Sequence, residues 1–184
     1  MRFTGLSILF ILIQQISFAQ PSVVDVPSAD KVMKTAFEQA VKEKKNVLLM
    51  FHASWCGWCH RMDSSLNDPA VRKFFDDNYV ITHLVVDESP ANKNLENAGA
   101  NEIRTKYHGD GIGIPFWLVF DRYGILLADS KIRKNNEGPE AGINIGCPAN
   151  PEEVTSFVEI LKKTSKITDP QLSIIAERFK KNAN

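Results

Sequence analysis

The segment NVLLMFHAS, residues 46–54, is a nearly unbroken apolar run, and the pair Cys56-x-x-Cys59 follows it at once. A strand with one wet face alternates polar and apolar residues. This one has no polar face, so it must be covered on both sides, as in the interior of a sheet flanked by helices. The flanking sequence supplies those helices. Upstream, Ser28 reads as the cap of ADKVMKTAFEQAVKEKK, which sets Val32, Ala36, Phe37, Ala40 and Val41 on one face. Downstream, CHRMDSSLND reads as helix, and PAVRKFFDDN as a further turn or two starting at Pro69.

The remaining elements alternate in the same way. YVITHLVVD is a second strand and NLENAGANEIRTKYH a helical stretch with a loose start. GDGIGIP is a cluster of turn residues before a third strand, FWLVFD. RYG is a tight turn, so FWLVFD and ILLADSKI form a hairpin. A long loop at 133–150 precedes the helix PEEVTSFVEILKKTS and a final helix from about 169, DPQLSIIAERFKKNA. This order predicts an α/β fold with a central mixed sheet flanked by helices. The 133–150 loop is long for a compact domain, and loops of that length are often functional or mobile.

Residues 1–19, MRFTGLSILFILIQQISFA, carry Arg2, a short apolar run and a small-residue end at Ala19. This pattern predicts a cleaved secretory signal with Gln20 as the mature start, and the domain at 20–184. A membrane anchor is the competing reading, but Gln14-Gln15 interrupts the run. The lack of an Asn-x-Ser/Thr sequon or an endoplasmic-reticulum retention signal leans toward a bacterial periplasm. The 184 residues hold 22 basic and 22 acidic side chains, and no basic stripe with interleaved aromatics, so nucleic acid is not an expected partner.

Only three cysteines are present, too few for a disulfide scaffold in an exported protein of this size. C-x-x-C alone fits a redox pair, half a zinc site or a local staple, and with His60 it also spells a haem attachment signature. The context favours redox chemistry. A cysteine at the junction of a strand and a helix meets unpaired N–H groups and the positive end of the helix dipole, which favour thiolate. Cys59, one turn on, lies within disulfide reach of Cys56 and can resolve a mixed disulfide formed there. A loop so short gains little from crosslinking, which argues against a staple. Cys147 and a histidine would complete the four ligands of a zinc site on paper, but no second close pair exists. Pro115 opens the strand FWLVFD, where no ladder bond is lost, and the isomer of its peptide bond is not legible.

The stretches VLLMFHASWCGWC, YVITHLVVD and GIPFWLVFDRYG together resemble the thioredoxin superfamily over roughly residues 30–165. More narrowly, the chain resembles exported bacterial thioredoxin-like proteins with a W-C-G-W-C motif and DPAV soon after it. The resemblance implies that Cys56 is the exposed nucleophile and Cys59 the resolving thiol. It implies that Pro115 is a cis-proline beside the disulfide, and that the backbone of Ile114 pairs with an extended substrate. No metal or organic cofactor is implied. The partners implied are protein thiol or disulfide substrates and, for a periplasmic reductase, a membrane electron donor. No dimerisation region is evident, so a monomer is expected. The favoured activity is protein-disulfide reductase. An oxidant or isomerase is the alternative within this chemistry, and a non-catalytic binding protein the alternative outside it.

Three departures from the family pattern stand out. Met50 occupies the position where thioredoxins carry a buried acid, and His52, His60 or water is a candidate substitute. The intervening dipeptide is Gly57-Trp58, and the chain adds the loop around Cys147 and the last helix. Trp55 is expected to pack beside the disulfide, Trp58 to offer substrate an apolar contact, and Trp117 to lie in the core. His60 is expected at the helix surface, near enough to tune Cys56. His52 is expected as a hydrogen-bonded core residue, and His83 and His108 without chemistry. Cys147 is expected to be a half-buried loop residue.

Overall fold

The computed structural model describes residues 25–183, so the expected leader lies outside the described residues. The apolar run forms β1, Asn46–His52, and its five residues from Val47 to Phe51 are all buried. It pairs in parallel with β2, Tyr79–Val85, and antiparallel with β3, Phe116–Phe120. β3 pairs antiparallel with β4, Leu126–Asp129, giving a mixed sheet in the order β2-β1-β3-β4. The side chains of β1 divide between two cores. Val47, Leu49 and Phe51 pack with α1, Ala29–Glu43, and α4, Ala100–Lys106. Leu48 and Met50 pack with α2, Gly57–Leu66, and α3, Arg72–Asp76, and with α5, Pro151–Thr164, and α6, Asp169–Lys180.

The helices begin where the chain supplies side-chain acceptors. Ser28 Oγ accepts the Lys31 amide at the start of α1, and Asn150 and Glu153 form a capping box at the start of α5. The buried stripe of α1 is Ala29, Met33, Ala36 and Ala40, centred earlier than the expected face, and Val41 is 49% exposed. Pro69 lies in a turn rather than at a helix start. Asp68 accepts the Ala70 amide and, through its carbonyl, the amides of Val71 and Arg72, so α3 begins at Arg72.

The predicted strand ILLADSKI breaks at Ser130. The buried Ser130 hydroxyl oxygen accepts the Trp117 amide at 3.1 Å, and the Ser130 carbonyl accepts the Ile145 amide at 2.8 Å. The chain thereby leaves β3 and pairs elsewhere. β5, Lys131–Ile132, joins β6, Ile143–Asn144, in a two-stranded ribbon. The expected 133–150 loop therefore contains a strand, and Lys131 ties it down by donating to the carbonyls of His108 and Pro139. The final helix, expected from about 169, belongs to the core. Leu172, Ile175 and Phe179 are buried, and the Phe179 and Phe157 ring centroids are 4.8 Å apart.

Candidate active site

β1 ends at His52, and four residues carry the chain from it to α2. That turn is held from outside by Glu88, 4% exposed, whose carboxylate accepts the Ser54 amide at 2.5 Å and the Ser54 hydroxyl at 2.7 Å. Sequence reasoning missed Glu88. Its only signal is an acid placed just after an apolar strand.

Cys56 is the N-cap of α2, and its Sγ accepts the Cys59 amide at 3.1 Å. The two cysteines are joined in a disulfide, with Cα atoms 5.2 Å apart. Both sulfurs are shielded: Cys56 is 3% exposed and Cys59 fully buried, so the expected exposed nucleophile presents only a sliver of surface. The reason is Ile114, which packs with Ala53 onto the pair. The Ile114 carbonyl oxygen lies 3.6 Å from Cys56 Sγ, and the Ile114–Pro115 peptide bond is cis.

The neighbours of the motif sit less as expected. Trp55 is only partly covered. It is 60% exposed, anchored by its Nε1–H to the Asp87 carbonyl at 2.7 Å. Trp58 is half-exposed, with the Arg61 guanidinium 4.9 Å above its ring. Gly57 opens α2 with free space where a Cβ would stand, so packing does not require glycine there. His60 is exposed, and its Nε2–H donates to the Ser54 carbonyl at 2.8 Å, which commits the ring to bracing the turn. Trp117 is fully buried, and Met50 lies in the same apolar cluster as Met62 and Trp117.

His52 is half-buried, and its Nδ1 has no hydrogen-bond partner, contrary to the expected bonded core histidine. Its ring lies 4.9 Å from that of His83, which bonds through Nε2 to Asp63 at 2.9 Å. Burial, and then the neighbouring His83, push the His52 pKa down. His83 was expected to stand apart. The parallel β1–β2 register places it beside Met50, so its ring meets both His52 and the α2 side chain. Cys147 is 5% exposed rather than half-buried, and burial pushes its thiol up to about 12. Its Sγ accepts a hydrogen bond from Asn182 Nδ2 at 3.4 Å.

A groove of about 380 Å³ is bordered by Trp58, Ile114, Pro115, Ile145, Cys147 and Ala183, and Ile114 links it to the disulfide. Asn144 shapes its wall by donating to the carbonyls of Gly113 and Pro115 at 2.7 and 3.1 Å. Among the described residues, no three His, Cys, Asp or Glu side chains gather as a metal-ligand set.

The sequence matches the Thioredoxin-like family over residues 30–122. Protein disulfide-isomerase A5 of Mus musculus is 40% identical over 57 residues, 28% of this chain, and the Bos taurus protein aligns to the same extent. This chain covers 11% of the length of those relatives. Similar solved structures include the disulphide isomerase of Xylella fastidiosa Temecula1, at 24% identity and a TM-score of 0.45, covering 62% of this chain and 80% of that one. Another is the C-terminal domain of Neisseria meningitidis DsbD in its oxidised form, at 23% identity and a TM-score of 0.40, covering 56% of this chain and 84% of that domain. The family match begins in α1, takes in the strand that delivers Cys56 and Cys59, and ends beyond β3, which Pro115 opens. By that match over half of its length, the chain belongs to the thioredoxin-like family.

Proposed function

We propose that this protein is a thiol–disulfide oxidoreductase that works as a protein-disulfide reductase. The observation that carries the reading is the position of Cys56 Sγ. It is bonded to Cys59, capped by one backbone N–H, and set against the carbonyl of Ile114, a residue that lines the neighbouring groove. In the reduced protein, the Cys56 thiolate attacks a substrate disulfide. A Cys56–substrate bond forms and one substrate thiolate leaves. The Cys59 thiolate then attacks Cys56 Sγ, closes the Cys56–Cys59 bond and releases the second substrate thiolate. Two electrons pass to the substrate, and a dithiol donor returns them.

The reducing direction rests on the likeness of the Trp55-Cys56-Gly57 start and the Ile114-Pro115 pair to thioredoxin. A thiolate on Cys56 has the Cys59 amide and the α2 dipole in its favour. Against it stand burial at 3% exposure and the oxygen of Ile114, which repels a thiolate but accepts from a thiol. The local 40% match to protein disulfide-isomerase A5 supports the chemistry but not its direction. Export to a bacterial periplasm, a monomeric state and supply by a membrane electron donor belong to the same proposal. They rest on the leader-like residues 1–19 and the lone cysteine pair.

Substitution of the cysteines tests the reading. Cys59→Ser should accumulate a mixed disulfide with insulin, Cys56→Ser should form none, and neither should sustain insulin reduction. Equal trapping by both variants would contradict the assigned roles, and unimpaired turnover in either would sink the enzyme reading.

A further inference from the structure

The chain beyond α6 returns to the cysteine site. The turn Lys181–Ala183 lies against α2 on one side and the Cys147–Pro148 segment on the other. Asn182 is 3% exposed, and both ends of its amide are used. Nδ2 donates to the Pro148 carbonyl at 2.9 Å and to Cys147 Sγ at 3.4 Å. Oδ1 accepts from Ser65 Oγ at 2.9 Å and from Arg178 at 3.3 Å. The Asn182 carbonyl accepts from Arg61, the residue whose guanidinium stands over the Trp58 ring. The next residue, Ala183, is exposed and borders the groove together with Trp58 and Pro115.

We propose that this C-terminal turn is a specificity element. Asn182 is a positioning residue that latches the turn to α2. Ala183 and Trp58 then set the width of the groove in which an extended, disulfide-bearing protein segment lies beside Pro115. The inference rests on the thiol–disulfide reading of the site. A buried asparagine with this many bonds would also serve as a structural latch alone. Two features extend its role: the tie through Arg61 to Trp58, and the placement of Ala183 on the groove. Alongside Asn144, Asn150 and Glu153, apolar walls at Pro115, Ile145 and Ala183 fit narrow side chains on the substrate segment.

Two disulfide probes of different size test it, with dithiothreitol as the electron source. Insulin must lie along the groove, whereas bis(2-hydroxyethyl) disulfide is small enough to reach Cys56 without filling it. Ala183→Trp adds bulk at an exposed position and leaves the latch intact. It is expected to raise KM for insulin about fivefold while kcat, and the rate with the small disulfide, stay within about twofold of wild type. In Asn182→Ala the turn is released, so adding Ala183→Trp to that variant should no longer raise KM for insulin. An unchanged insulin KM in Ala183→Trp overturns the proposal, as does the same rise persisting in the double variant. If the wild-type protein reduces both probes and Ala183→Trp fails to separate them, only the groove assignment is lost. If it reduces neither, the thiol–disulfide reading falls and this inference with it.

Discussion

Replacing Glu88 by alanine removes both oxygen atoms that hold the turn before Cys56. The bonds lost run from the Ser54 amide at 2.5 Å and the Ser54 hydroxyl at 2.7 Å. A hydrogen bond to a charged acceptor contributes about 1.5–3 kcal/mol where water is excluded. Glu88 is buried, but Ser54 is exposed, so water recovers part of each bond. The expected net loss is about 2 kcal/mol for the pair. For a domain of this size that corresponds to a fall in Tm of about 4–8 °C. Urea unfolding of the oxidised protein measures it, as a lower midpoint at unchanged m-value. Ser54→Ala removes only the hydroxyl bond and should cost about half as much. The double variant should show a coupling energy of about 1 kcal/mol. A loss below about 0.5 kcal/mol in Glu88→Ala, the range of ordinary surface substitutions, would refute the view that this carboxylate holds the motif.

Other consequences are separately measurable. Phe157 is fully buried against the rings of Phe75, Trp117 and Phe179, so Phe157→Ala should destabilise the fold by about 3–5 kcal/mol in denaturant titration. A loss under about 1 kcal/mol would mean that α5 and α6 contribute little to the core. The folded-state pKa of His52 is lowered, so below about pH 6.5 the unfolded chain binds the extra proton and stability falls as pH drops. His52→Leu should therefore gain stability relative to wild type between about pH 7.5 and pH 5, and parallel pH profiles would contradict this. With its thiol raised to about 12, Cys147 in the folded, reduced protein should alkylate with iodoacetamide about a thousandfold more slowly at pH 8 than an unperturbed thiol. Mass spectrometry after a timed quench reads this directly, and equal labelling of Cys147 and Cys56 would refute it.

Much of the frame was legible because it depends on local pattern. The apolar run at 46–54 had to be an interior strand, and it pairs on both sides. Proline at 115 had to open a strand, and β3 begins at the next residue. What escaped was set by contacts distant in sequence. The break at Ser130 depends on bonds to Trp117 and Ile145, which no propensity encodes. The pairing of His83 with Asp63 depends on strand register and helix placement, so a lone histidine in a strand gave no sign of it. Glu88 and Asn182 are polar residues in ordinary contexts, at a strand end and near the C-terminus. They become structural only when the fold brings Ser54, Ser65 and Pro148 to them. The anchoring of Trp55 was not legible either, because the bond from its indole N–H to the Asp87 carbonyl spans 32 residues of sequence and leaves much of the ring in solvent.

The reduction potential of the Cys56–Cys59 pair tests the central claim most directly. Trp55 precedes Cys56 and Trp58 lies between the two cysteines, and their fluorescence can follow the redox state of the pair during equilibration with a dithiothreitol buffer. The account predicts one reversible two-electron transition near about −270 mV, the reducing end of the range for such pairs. A transition near about −120 to −180 mV would reverse the assigned direction of electron flow, and the absence of any reversible transition would contradict redox function altogether.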